Sequence, residues 1–221
     1  MKYEVVLWDF DGTMVDTSEG IFQSLRYAFD KMRLPAPSGE ILSKFIGPPL
    51  TRIFRECVGL DDRQAADAVR FFREDYRERG IFVAKVYGGI HELVLKLKAA
   101  GVRNAVSTLK PERMARQLLE KYGMLDALET CCGTVESRSE NIDKSEIISR
   151  TLDRMGYTDL AKVVMIGDTG HDASGACKAG VDFISAAYGY GFRFAGEKLP
   201  AGLPAAGSVA ELEQILLADT L

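Results

Sequence analysis

The chain has 221 residues, a formal net charge of −4, 47% hydrophobic and 27% charged residues. That composition excludes a disordered chain and gives no global attraction to nucleic acid or anionic membrane, so a small-molecule partner is expected. The length suits one hydrophobic core, or one core with a smaller inserted domain.

Residues 4–8 form an apolar strand candidate that stops at Asp9. Its apolar run is too short for a signal peptide, and no stretch approaches the ~20 apolar residues of a membrane span. Residues 18–32 follow as a helix, with Ser18 placed to cap it and Ile21, Phe22, Leu25, Phe29 and Met32 at helical spacing. Pro35 and Pro37 end it. Helical segments are expected at about 40–45, 50–57 and 62–79, with Gly47-Pro48-Pro49 as a break. The charges of the last segment, from Arg70 to Arg79, fit a solvated helix face.

After Tyr87-Gly88-Gly89 the pattern changes to alternating helices and strands: helix 90–100, strand 102–107, helix 112–122, strand 129–134 and helix 144–155. Strand 162–167, helix 172–179, strand 182–187 and a C-terminal helix at 208–218 complete the series. Such alternation predicts βαβ units and a parallel sheet. The first strand therefore belongs with the later α/β region, and a helical block interrupts it. The expected division is a catalytic core of residues 1–16 and 84–221, and a helical insert of residues 17–83. Tyr188-Gly189-Tyr190-Gly191 is expected to be a loop built by turn chemistry. Cys57, Cys131, Cys132 and Cys177 form no CxxC pair and are expected to be reduced thiols, which fits the cytoplasm.

Four strand or helix termini carry the chemistry. Asp9-Phe10-Asp11-Gly12-Thr13 follows an apolar strand, where α/β proteins bind ligands. Two carboxylates so close repel each other and call for a cation such as Mg²⁺. One of them could attack phosphorus while the other manages a proton. Gly167-Asp168-Thr169-Gly170-His171-Asp172 offers a second carboxylate pair at a strand end, with Asp172 as an N-cap in the alternative reading. Lys144, in a segment resembling a capping box from Asp143 to Glu146, places a cation at a helix N-terminus, which is unfavourable unless an anion is near. Ser107-Thr108 ends a strand before Pro111, a residue suited to the first turn of a helix, and could hold phosphate.

DFDGT, STLKPE, Lys144 and GDTGHD, in that order, resemble the four motifs of the haloacid dehalogenase-like hydrolase superfamily. The chain is most similar to its phosphoglycolate phosphatase and 5′-nucleotidase subgroup, to which Phe45-Ile46-Gly47-Pro48-Pro49-Leu50 and Tyr188-Gly189-Tyr190-Gly191 are also similar. The resemblance implies a Rossmann-like, three-layer α/β core with a parallel sheet and an inserted all-helical C1 cap. It implies a Mg²⁺-dependent phosphatase with Asp9 as nucleophile and Asp11 as acid/base. Asp9, the Asp11 carbonyl and Asp168 would bind Mg²⁺, with Asp172 supporting them. Thr108 and Lys144 would hold the phosphate, with Gly12, Thr13 and Leu109 beside them. Leu109 stands where relatives often carry Asn or Ser, and Ser107 is the alternative to Thr108. Gly47, Pro48 and Arg52 are the candidate cap contacts, the Arg as an anion binder. The expected partner is a small phosphorylated metabolite, with no nucleic acid or membrane, for a monomer or weak homodimer. The alternatives are a phosphosugar mutase of the β-phosphoglucomutase type, which shares the motifs, and a non-catalytic phospho-ligand-binding protein.

Overall fold

Val5, Val6, Leu7 and Trp8 are apolar without alternation, the pattern of a strand covered on both faces. In the computed structural model, which describes residues 2–46, 49–135, 142–191 and 202–218, they form β1 (Val5–Trp8) inside a six-stranded sheet. Among the described residues the chain divides into two compact units, one of residues up to Asp16 and from Val86, the other of Thr17–Lys85. Short strands β2 (Val15–Asp16) and β3 (Lys85–Val86) fall where the chain passes from one unit to the other.

The second unit is helical. It comprises α1 (Ser18–Lys31), α2 (Gly39–Lys44), α3 (Leu50–Glu56) and α4 (Asp62–Glu78). Its core is an aromatic cluster of Phe29, Phe45 and Phe54, with ring centroids 4.7–6.4 Å apart. Gly20 lets α1 approach the chain after α4, since a Cβ there would lie 2.0 Å from the Gly80 carbonyl oxygen. Asp61 and Gln64 cap α4 reciprocally. Residue Thr17, not Ser18, stands at the N-cap of α1, so Ser18 is the first helical residue. The Arg70 and Asp67 side chains pair on the exposed face of α4, as a solvated face requires.

The first unit continues with α5 (Ile90–Ala99), β4 (Arg103–Pro111), α6 (Glu112–Lys121), β5 (Thr130–Thr134) and α7 (Lys144–Met155). It ends with β6 (Val163–Gly167), α8 (Gly170–Ala179), β7 (Asp182–Ala186), β8 (Ala205–Ala206) and α9 (Val209–Leu217). The strand order is β5-β4-β1-β6-β7-β8, all parallel, giving the expected α/β sheet flanked by helices. Val5, Leu7, Ala105, Val163 and Met165 pack on one face against Ile148 and Leu152 of α7 and Ala173 and Ala176 of α8. Alternation turns Trp8 to the other face, where its indole N–H donates to Asn104 Oδ1 at 3.0 Å.

Further element ends differ from expectation. β4 runs four residues past Ser107, with a register irregularity between Ser107 and Pro111. Pro111 therefore occupies the N-cap of α6 and not its first turn. Helix α8 begins at Gly170 because Thr169, not Asp172, is its N-cap.

Candidate active site

Asp9 follows β1 directly, and its N–H donates to the Ile166 carbonyl at 2.8 Å, extending the ladder to β6. The chain then turns sharply, with the Phe10 carbonyl accepting from Met14 and Val15 N–H at 3.0 Å each. Gly12 has φ 84°, and a Cβ there would lie 2.0 Å from Asp168 Oδ2. Both the backbone and the space thus require glycine. The turn brings Thr13, fully buried, under Asp168, to whose Oδ1 its hydroxyl donates at 3.3 Å.

Asp168 follows β6, whose Ile166 pairs with Trp8, so the two strands deliver Asp9 and Asp168 side by side. Asp168 is fully buried, and its Oδ2 accepts the Gly191 N–H at 2.7 Å. Asp172 lies in the first turn of α8. Its Oδ2 accepts from the Thr169 N–H at 3.1 Å and hydroxyl at 2.5 Å, completing a reciprocal cap. Its other oxygen, Oδ1, is 2.5 Å from Lys144 Nζ. Lys144 Nζ also donates to Asp9 Oδ1 at 2.5 Å. Asp143 caps α7 by accepting from the Ser145 N–H at 2.9 Å and hydroxyl at 2.8 Å, a one-sided cap and not the reciprocal box expected. Gly175 of α8 lets this helix crowd Lys144, since a Cβ there would lie 2.5 Å from Lys144 Cβ.

The electrostatics follow from burial. Asp9, removed from water and facing the Asp172 charge, is pushed up to about 7 despite the opposing pull of Lys144. Burial, then the Asp9 and Asp172 charges, raise Asp168 well above the ordinary carboxylate range. Burial alone would lower Lys144, but the charges of Asp172 and Asp9 outweigh it and raise its affinity for a proton. Ligand atoms of Asp9, Asp168 and Asp172 all lie within 4.8 Å of one another. Three crowded carboxylates with costly ionisation and only oxygen donors fit a hard divalent cation such as Mg²⁺.

The end of β4 borders the same loop. The Ser107 hydroxyl is buried and has no hydrogen-bond partner among the described residues. The Thr108 hydroxyl accepts the Lys110 N–H at 3.2 Å. Leu109 is half-buried, and its carbonyl accepts from the Thr134 hydroxyl at 3.0 Å. Lys110 reaches Asp11, with Nζ 3.0 Å from Oδ1 and 3.1 Å from Oδ2.

Of the residues expected from sequence, Asp9, Lys144, Asp168 and Asp172 converge directly, and Gly12 and Thr13 pack against Asp168. Gly47 and Pro48 lie outside the described residues. Arg52 belongs to the helical unit, where it is exposed and pairs with Glu56 at 2.9 Å. Residues missed are Lys110 and Gly175, and the Tyr188–Gly191 loop, expected from sequence, has contacts that the sequence did not indicate. That loop is more than turn chemistry: the Tyr188 hydroxyl donates to the Thr13 carbonyl at 2.9 Å, and a Cβ at Gly189 would lie 2.2 Å from the Gly12 carbonyl oxygen. The only sequence signal was two glycines alternating with two tyrosines.

Known proteins share this arrangement of elements. The fold superposes with a TM-score of 0.88 on a crystal structure of a candidate phosphatase from Clostridium difficile, at 34% identity over 98% of this chain and 100% of that one. It matches the structure of Mycobacterium tuberculosis protein tyrosine kinase A (PtkA) with a TM-score of 0.83 and 30% identity over 97% of this chain and 98% of that one. The curated tyrosine-protein kinase PtkA of M. tuberculosis strain H37Rv is 33% identical over 188 residues, 85% of this chain, and the chain spans only 63% of that relative's length. A 5′-nucleotidase of Pseudomonas aeruginosa is 34% identical over 191 residues, 86% of each chain. The sequence profile of the haloacid dehalogenase-like hydrolases matches residues 6–186, from within β1 to the last residue of β7. That span holds all three crowded carboxylates and Lys144, and the chain belongs to the haloacid dehalogenase-like hydrolase family.

Proposed function

We propose that this chain is a Mg²⁺-dependent phosphomonoester hydrolase that works through an aspartyl-phosphate on Asp9. The observation that carries the proposal is the buried cluster of Asp9, Asp168 and Asp172, with Lys144 paired to Asp9 and Asp172. Such a site suits a dianionic phosphate, because phosphoryl transfer needs positioning and charge stabilisation above all.

Asp9, Asp168 and Asp172 would hold Mg²⁺, which when bound supplies positive charge against the phosphate oxygens and the nucleophile. Lys144 adds a fixed cation beside Asp9. An Asp9 oxygen attacks phosphorus as the bond to the leaving oxygen breaks, and Asp11 gives that oxygen a proton. Water then attacks phosphorus, Asp11 takes its proton, and the electron pair returns to the Asp9 carboxylate. Thr108, or Ser107 beside it, would donate a hydroxyl hydrogen bond to a phosphate oxygen.

The substrate class is a small phosphorylated metabolite. Relatives named 5′-nucleotidase and phosphoglycolate phosphatase make nucleoside monophosphates and phosphoglycolate the first compounds to test. A phosphate-release screen across these, sugar phosphates and phosphotyrosine, with Asp9→Asn as control, tests the proposal. Wild type should release phosphate from at least one compound, and Asn at position 9 should reduce that rate by a factor of about 10⁴ or more. Unchanged turnover in that variant would sink the mechanism, and isomerisation of β-glucose 1-phosphate without release would favour a mutase.

A further inference from the structure

Lys110 has no part in the mechanism above, yet its side chain is buried and paired. Its side chain is only 4% exposed and its ammonium straddles Asp11, at 3.0 Å from one carboxylate oxygen and 3.1 Å from the other. We infer that Lys110 is the positioning residue for Asp11, holding its carboxylate oriented as the base that activates water in the second chemical step. The inference rests on the reading of Asp11 as the acid/base.

Three features support it. The two near-equal bonds fix the rotation of the carboxylate, which a single hydrogen bond would leave free. The lysine is itself anchored: its N–H donates to the Thr108 hydroxyl at 3.2 Å, and its ammonium lies 5.9 Å from the centre of the Phe10 ring. Its carbonyl is pressed by β5 at Gly133, where a Cβ would lie 2.5 Å from the Lys110 oxygen. Finally, the register irregularity between Ser107 and Pro111 re-aims the end of β4, a common device beside active sites. A buried ammonium is costly unless it is paired. A neutral side chain of the same length would satisfy packing but would not hold the Asp11 carboxylate.

The chemistry says which step it serves. In the first step Asp11 gives up its proton to the leaving oxygen, and Lys110 stays beside the carboxylate that results. In the second step that ionised carboxylate accepts a proton from water while water oxygen bonds to phosphorus and the phosphorus–Asp9 bond breaks. Lys110 keeps the carboxylate aimed between the two events.

Rapid-quench kinetics with p-nitrophenyl phosphate and Mg²⁺ separate the steps, because nitrophenolate leaves without needing a proton. In Lys110→Met, one equivalent of nitrophenolate per active site should appear at the wild-type rate constant, followed by a steady state slowed at least about tenfold. Burst amplitude counts the folded sites, so partial misfolding cannot imitate the result. Lys110→Cys alkylated with 2-bromoethylamine, which restores an ammonium of the same reach, should recover the steady-state rate. An unchanged steady state, a burst slowed in parallel, or no recovery with an intact burst each overturns the inference. Asp11→Asn serves as the second arm and should also show a full burst. If it shows none, Asp11 is not the acid/base and the inference falls with that reading. If it does and Lys110→Met does not, only the role of Lys110 is wrong.

Discussion

At the scale of single residues, the site depends on atoms that are missing. Gly189 and Gly191 bring the loop after β7 against the carboxylate loops, and Gly191 supplies an N–H to Asp168. A Cβ at Gly189 would lie 2.2 Å from the Gly12 carbonyl oxygen and 2.5 Å from Asp168 Cβ. The first is backbone, so neither partner can yield cheaply. Gly189→Ala should therefore displace Asp168 and lower kcat/KM by about tenfold or more, for a steric cost of about 1–3 kcal/mol. Gly88→Ala is the matched control, because Gly88 is exposed and nothing lies within 4 Å of its added Cβ. Phosphatase assays and thermal melts of both variants check this. Equal activity in the two would show that the close approach has no bearing on Asp168.

At the scale of elements, helix α8 is the hinge between caps and chemistry. Asp172 satisfies Thr169 with one oxygen and Lys144 with the other, so the same carboxylate starts the helix and completes the site. Gly175, one turn further, faces the Lys144 side chain. Helix propensity favours Ala over Gly in a helix interior by about 1 kcal/mol. Contact predicts the opposite sign here, because the new Cβ would lie 2.5 Å from Lys144 Cβ and 3.1 Å from the Ser145 nitrogen. Gly175→Ala should lower both the melting temperature and the turnover. A gain in stability with normal turnover would mean that α7 and α8 have slack. The elements themselves were legible from apolar runs ending in carboxylates: β1, β6 and α7 lie where the residue pattern puts them, and with them Asp9, Asp168 and Lys144. What was not legible depends on register or on contacts distant in sequence. Lys110 meets Asp11 across 99 positions, from the stretch of β4 where the register is irregular. Asp172 looked like a cap from its place before a helical run, but the Thr169 hydroxyl three residues earlier takes that position.

At the scale of the whole molecule, the carboxylate cluster stands at the centre of the sheet and opposes folding in the absence of metal. Asp168 is an acid whose native proton affinity is raised by burial and by Asp9 and Asp172. Such a group contributes most to stability below its ordinary, unfolded pKa of 3.8, and that contribution is lost as the pH rises through the higher native value. At neutral pH the folded state therefore carries a cost that the unfolded chain does not. Asp168→Asn removes the charge while keeping an oxygen able to accept from the Gly191 N–H, with its amide N–H turned to the Thr13 hydroxyl, which can accept instead. In EDTA the variant should melt above wild type, with ~1 kcal/mol corresponding to about 2–4 °C for a chain of this size. Millimolar Mg²⁺ should reverse the order. Wild type gains about 2.7 kcal/mol when the ion reaches about a hundred times its dissociation constant, whereas the variant has lost a ligand and gains little. Melts of both proteins with and without Mg²⁺ make the comparison without any substrate. A variant that melts below wild type in EDTA would show that the Asp168 hydrogen bonds outweigh its repulsion. A variant stabilised by Mg²⁺ as much as wild type would place the ion elsewhere. The expected crossing ties stability to function: the charges that weaken the metal-free fold are those that would bind the cation and direct the phosphate to Asp9.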